Sequence, residues 1–135
     1  MTNKDIILGT AQFIDGYGIN KSNLSMDDIE NITSNAYRNG IRFVDTAFAY
    51  PEVHKKLKKI EINKFNLTSK IPKLLSNNKN KIFDELKSIL DRGLEELGID
   101  KFYCILIHDL DDIKDQYKSS IIIEALTKLK EIKII

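Results

Sequence analysis

The chain has 135 residues, 42% hydrophobic and 30% charged, which is the profile of one folded domain rather than of a disordered or fibrous chain. Its 21 Lys and Arg against 20 Asp and Glu leave a formal charge of +1, so bulk electrostatics give no reason to expect nucleic acid or an anionic membrane as partner. Cys104 is the single cysteine, which excludes an intrachain disulfide and makes the reducing cytoplasm the expected compartment. Within FYCILI its thiol is expected to be buried and inert. The opening MTNKDIILGTAQF has no extended apolar core of the signal-peptide kind, and no run approaches the length of a bilayer span.

The first strand is expected over Asp5 to Gly9, short, apolar and closed by glycine. After a loop rich in Gly, Asn and Ser, Ser25 is placed to cap the first helix, with Asp28 at the capping-box position. Ile29, Ile32 and Ala36 recur at helical spacing, and Gly40 ends the pattern. IRFVD, Ile41 to Asp45, reads as the second strand, followed by a short helix from Val53 to Lys59. In that helix the cluster KKLKK and His54 are expected on the solvated face.

The third strand is expected over Asn66 to Lys70, between two helices and ahead of Pro72, which limits helix in the residues just before it. From Lys79 to Leu97, the residues Ile82, Leu86, Ile89, Leu90, Leu94 and Leu97 form one apolar stripe, and Gly98 stops the helix. FYCILI, Phe102 to Ile107, is the fourth strand. A fourth helix is expected from Ser119 or Ser120 through Leu126 and Leu129, and a fifth strand from Ile132.

Strands and helices alternating in this way, with near-continuous apolar strands, specify an α/β fold with a parallel sheet. Two architectures suit the order: an open doubly wound sheet, or part of a (β/α)8 barrel. The first strand ends in GTAQFIDGYG, which is neither G-x-G-x-x-G nor a P-loop, so neither standard phosphate turn is present. In a parallel barrel, functional groups gather at the C-terminal ends of the strands. The second strand ends on Asp45, with Tyr50 in the loop beyond it; the third ends on Lys70; the fourth is followed by His108. Singly, Asp45 could cap a helix, Lys70 could be a surface lysine and His108 a loop histidine. Jointly they place four groups capable of proton chemistry at one mouth.

At this point the chain resembles the aldo-keto reductase family. The resemblance is carried by LGTAQF, by GIRFVDTAFAY, by SK at the third strand, by LEELGIDKFYCILIH and by ALTKLKEIKII, so it runs over essentially the whole chain. It implies a partial (β/α)8 barrel, about the first four βα units and the start of strand five, as the N-terminal portion of an NADP-dependent oxidoreductase domain. It also implies hydride transfer from NADPH or NADH to a small-molecule carbonyl, with Asp45, Tyr50, Lys70 and His108 as the catalytic set. Tyr50 would donate the proton as charge grows on the carbonyl oxygen. An ammonium stabilises a nearby phenolate, which is the role implied for Lys70, held charged and oriented by Asp45. His108 would hydrogen-bond the substrate oxygen. Gly9, Thr10, Ala11 and Asp45 fall where the family holds its cofactor, no metal ligands are implied, and Phe48 and Ala49 would line the substrate pocket.

Two departures from the family pattern stand out. Where many members continue the tyrosine with G-x-S-E, this chain has YPEVHKKLK, and Pro51 biases Tyr50 toward extended backbone while suiting a first helical turn. The second is length, since a complete barrel takes about 250 residues. The expectation is therefore an N-terminal portion whose cofactor grip lies mostly beyond Ile135. Its uncovered edges would invite self-association, and the alternative to an enzyme is an inactive half-barrel remnant or interaction module.

Overall fold

The computed structural model describes residues 6–19, 21, 23–60 and 62–135. Four parallel strands form one sheet: β1 (Ile7–Gly9), β2 (Phe43–Asp45), β3 (Asn66–Ile71) and β4 (Cys104–Ile107). Their spatial order is β1-β2-β3-β4. Each strand therefore lies beside its neighbour in sequence, without the reversal of order that marks a doubly wound sheet. This is the wall of a partial (β/α)8 barrel, which decides between the two architectures left open above. Asp5, where the first strand was expected to begin, lies outside the described residues.

The sheet register assigns each side chain to a face. Leu8 pairs with Val44 and Val44 with Leu67, so these residues share one face. Val44, Leu67 and Ile71 are no more than 2% exposed there, under α1 (Met26–Arg38), α2 (Pro51–Lys58), α3 (Lys79–Leu97) and α5 (Gln116–Glu131). Right-handed crossovers put all the helices on this side. On the other face, which would line the barrel interior, Ile7 is 55% and Leu106 44% exposed. Cys104 lies on that open face, paired with Thr68, and is half-buried rather than buried as expected.

Local signals explain the helix boundaries. Ser25 and Asp28 form a reciprocal capping box on α1: Asp28 N donates to Ser25 Oγ at 3.1 Å and Ser25 N to Asp28 Oδ2 at 3.0 Å. The hydrogen bonds from Ser25 hold the Asp28 carboxyl below its ordinary range. The buried stripe of α1 is Ile29, Thr33 and Ala36; Ile32, expected among them, faces outward. The helix gives way to Asn39 and then to Gly40 at φ +85°, a backbone that favours glycine.

Several boundaries differ from expectation, among them β2, which begins at Phe43 rather than Ile41, and β4, which begins at Cys104 rather than Phe102. α2 begins at Pro51, two residues early, because proline at the first helical position gives up no needed N–H and is already set to helical φ. α5 begins at Gln116, because Asp115 accepts from Lys118 N at 2.9 Å and caps the helix ahead of the two serines. A single turn, α4 (Asp111–Lys114), precedes it. The fifth strand expected from Ile132 is absent among the described residues: α5 runs to Glu131 and Lys133 turns through φ +62°. Phe102 N, two residues ahead of β4, donates to Ile134 O at 3.0 Å, and Ile134 and Ile135 pack on the core. No helix among the described residues is long and apolar enough to cross a membrane.

Candidate functional site

The C-terminal ends of the strands form the mouth, and the register decides what faces it. Gly9 pairs with Asp45 and Asp45 with Thr68, while Lys70, two residues on, pairs with Leu106. Alternation along a strand therefore puts Gly9, Asp45 and Lys70 on the open face. His108 follows by the same alternation, tied by its N–H to Ile71 O at 3.0 Å, with its side chain exposed.

Lys70 reaches across one strand to Asp45. Its Nζ donates to both carboxylate oxygens, at 2.5 and 2.6 Å, and to Thr46 O at 3.1 Å. Both side chains are partly shielded, Lys70 at 24% and Asp45 at 35% exposure. A charge-assisted pair of this geometry fixes where the ammonium sits. Asp45 is held in turn from its main chain: its carbonyl accepts from both the N–H and the hydroxyl of Thr10, each at 3.0 Å. Thr10 is fully buried, so its hydroxyl serves the strand rather than the mouth. A Cβ built on Gly9 meets no atom within 4 Å, which leaves bare backbone and open space beside the carboxylate. Ala11 opens a 3₁₀ turn, Ala11–Phe13, and is half-buried.

Tyr50 is the N-cap residue of α2, half-buried. Its N–H donates to Ala47 O at 2.9 Å, and its carbonyl accepts from Val53 N at 3.0 Å and His54 N at 3.1 Å. The loop joining β2 to α2 is thus a tight turn continued directly into helix, and Phe48 N reaches Lys70 O at 3.3 Å to hold it over β3. Among the described residues, neither Tyr50 nor His108 is hydrogen-bonded to the Asp45–Lys70 pair. Of the four residues named from the sequence, Asp45 and Lys70 are in contact, while Tyr50 and His108 stand in the segments that follow β2 and β4.

Two expectations are corrected here. Phe48 does not face the pocket. Its ring packs edge-on to Phe102 (centroids 5.5 Å) and to His54 (5.9 Å), in the layer between sheet and helices. It lies on bare backbone at Gly93 of α3, where a Cβ would collide with the ring edge and stand 3.0 Å from Cζ. Gly93→Ala is expected to destabilise the fold by about 1–2 kcal/mol in urea unfolding, overpacking of about 2–3 kcal/mol being offset by about 1 kcal/mol of helix propensity. An unchanged midpoint would mean that Phe48 has another place to go.

His54, expected on the solvated face, is 0% exposed. Its Nδ1 lies 3.1 Å from Glu96 Oε2 on α3. Burial pushes the imidazole below its ordinary value, against the opposing pull of Glu96, so the ring is neutral near pH 7. The sequence held a usable signal: Leu57 stands three residues from His54 and four from Val53, which groups all three on the buried face of α2. The neighbouring lysines obscured it, and one of them, Lys56, is itself tied down, with Nζ 2.9 Å from Phe13 O and 2.6 Å from Asp15 Oδ1.

Sequence reasoning also missed a clamp beside the mouth. Asp112 is 1% exposed; its Oδ2 accepts from Leu74 N at 2.8 Å and its Oδ1 lies 2.8 Å from Lys118 Nζ. Lys118 donates to Leu74 O at 3.0 Å, so one ion pair staples the segment after β3 to the start of α5.

Residues 5–134 match the sequence model of the aldo/keto reductase family. Among solved structures, PA4992 from Pseudomonas aeruginosa, described as an aldo-keto reductase, is 20% identical with a TM-score of 0.70, covering 93% of this chain and 50% of that one. MGS-M4, an aldo-keto reductase enzyme from a Medee basin deep-sea metagenome library, is 23% identical with a TM-score of 0.54, covering 93% and 41% respectively. The chain thus spans half or less of the length of these structures. No curated protein matches it. With its strand order, its mouth and a family match over nearly every residue, the chain belongs to the aldo/keto reductase family.

Proposed function

We propose that the chain carries the proton-transfer residues of a reductase acting on a small aldehyde, ketone or sugar carbonyl, with NADPH or NADH as the hydride source. The observation that carries this reading is the Lys70 ammonium, held by both oxygens of Asp45 at the mouth that Tyr50 and His108 also border. The bare backbone at Gly9, next to Asp45 on the open face, leaves open space beside the carboxylate, which suits a cofactor held by Gly9 and Asp45. When bound, that cofactor supplies the hydride.

The chain's own residues then handle the oxygen. Tyr50 donates the proton that neutralises the developing alkoxide. Lys70 stabilises the phenolate left behind, and Asp45 keeps the ammonium charged and aimed. His108, exposed at the end of β4, hydrogen-bonds the carbonyl oxygen and orients it.

A fluorescence titration with NADPH and with NADH, followed by their consumption in the presence of small aldehydes and ketones, tests the reading. Saturable binding with carbonyl-dependent turnover is the expected result. Neither binding nor turnover would leave the alternative, an interaction module that retains the residues without the reaction. The open face with Ile7 and Leu106 exposed is what favours that second reading.

A further inference from the structure

The loop that carries Tyr50 has to be held from behind, and the contacts that hold it converge on one side chain. His54 is fully buried and touches both a neighbouring helix and the loop. Its Nδ1 meets Glu96 on α3, and its ring lies edge-on to Phe48 in the loop. Ala47 is the acceptor for Tyr50 N–H, and the His54 N–H itself donates to Tyr50 O. A carboxylate can only accept, so Nδ1 carries the hydrogen and Nε2 is left bare, buried without a partner among the described residues.

We propose that His54 is a positioning residue for Tyr50: anchored on α3 through Glu96 and pressed on Phe48, it fixes the Ala47–Tyr50 turn and so sets where the phenol stands. The inference rests on the reading of Tyr50 as proton donor. A ring fixed at one end to a helix and pressed at the other against the turn transmits the rigidity of α3 to a loop, and loops are otherwise the mobile part of a site. Small misplacements of a reacting group are costly, about 100-fold for 1 Å.

The test compares His54→Leu, which keeps bulk without the Nδ1 donor, with His54→Asn, whose amide can still donate to Glu96. Glu96→Ala removes the acceptor from a side chain 32% exposed, where alanine suits the helix. In His54→Leu and Glu96→Ala, kcat for carbonyl reduction is expected to fall about 10- to 100-fold with KM nearly unchanged, and His54→Asn to recover most of it.

Amide hydrogen exchange supplies a readout independent of activity. Tyr50, Val53 and His54 amides should exchange at least about tenfold faster in His54→Leu and Glu96→Ala, while amides in the middle of α3 keep their protection. Unchanged exchange at those three amides, or no rescue by asparagine, overturns the proposal. Should the unmodified protein reduce no carbonyl, the functional reading fails by itself, and the exchange data still decide whether His54 holds the turn.

Discussion

Tyr50→Phe is expected to lower carbonyl turnover by about 10²- to 10⁴-fold, the range a positioned general acid supplies, with cofactor affinity nearly unchanged. The substitution is clean because the contacts that place residue 50 are made by its main chain. Its N–H bonds Ala47 O and its carbonyl receives Val53 N and His54 N, none of which involves the hydroxyl. The loss would therefore report the missing proton rather than a disturbed loop. Lys70→Met does not isolate the same step, because it also strips Asp45 of the ammonium that both its oxygens accept from. Steady-state kinetics with cofactor binding measured in parallel provide the check, and turnover within about tenfold of the unmodified protein would take the acid role from Tyr50.

Asp112→Ala should be the most destabilising single change at the mouth, by about 3–5 kcal/mol. Both partners are shielded, Asp112 at 2% and Lys118 at 13% side-chain exposure. Removing the carboxylate leaves a lysine ammonium with only the Leu74 carbonyl, and the Leu74 N–H with no acceptor. At this chain length the loss corresponds to a Tm lower by about 10–18 °C. Replacing both members together, as Asp112→Leu with Lys118→Met, should recover much of it, since a well-packed apolar pair is often no worse than a buried ion pair. Thermal and urea unfolding of the two single variants and the double variant measure the coupling. A single-variant cost under about 1 kcal/mol would place the pair in solvent.

The strand spacing, the apolar stripe of α3 and the capping box of α1 were legible because they are local patterns. Lys79 to Leu97 was read with the ends it has, and Asn66 to Ile71 forms the longest strand of the sheet, one residue beyond the expected end. The mouth was legible for a related reason. A parallel strand carries its last residues to one edge of the sheet, and alternation then tells which of them face inward. Asp45 and Lys70 meet as that rule requires.

Periodicity says nothing about which distant side chains finish a buried polar contact. His54 and Glu96 lie 42 positions apart, Leu74 and Asp112 38, and Phe48 settles on the one glycine of α3 that leaves room for it. The order of elements, the capped helix start and the placing of Asp45 and Lys70 at the strand ends follow from residues near one another in the chain. The burial of His54, the inward turn of Phe48 and the clamp at Asp112 follow from how α2, α3 and α5 pack on the sheet. Each of these satisfies or displaces a polar group that water can no longer reach, and that need arises only once the layers have closed.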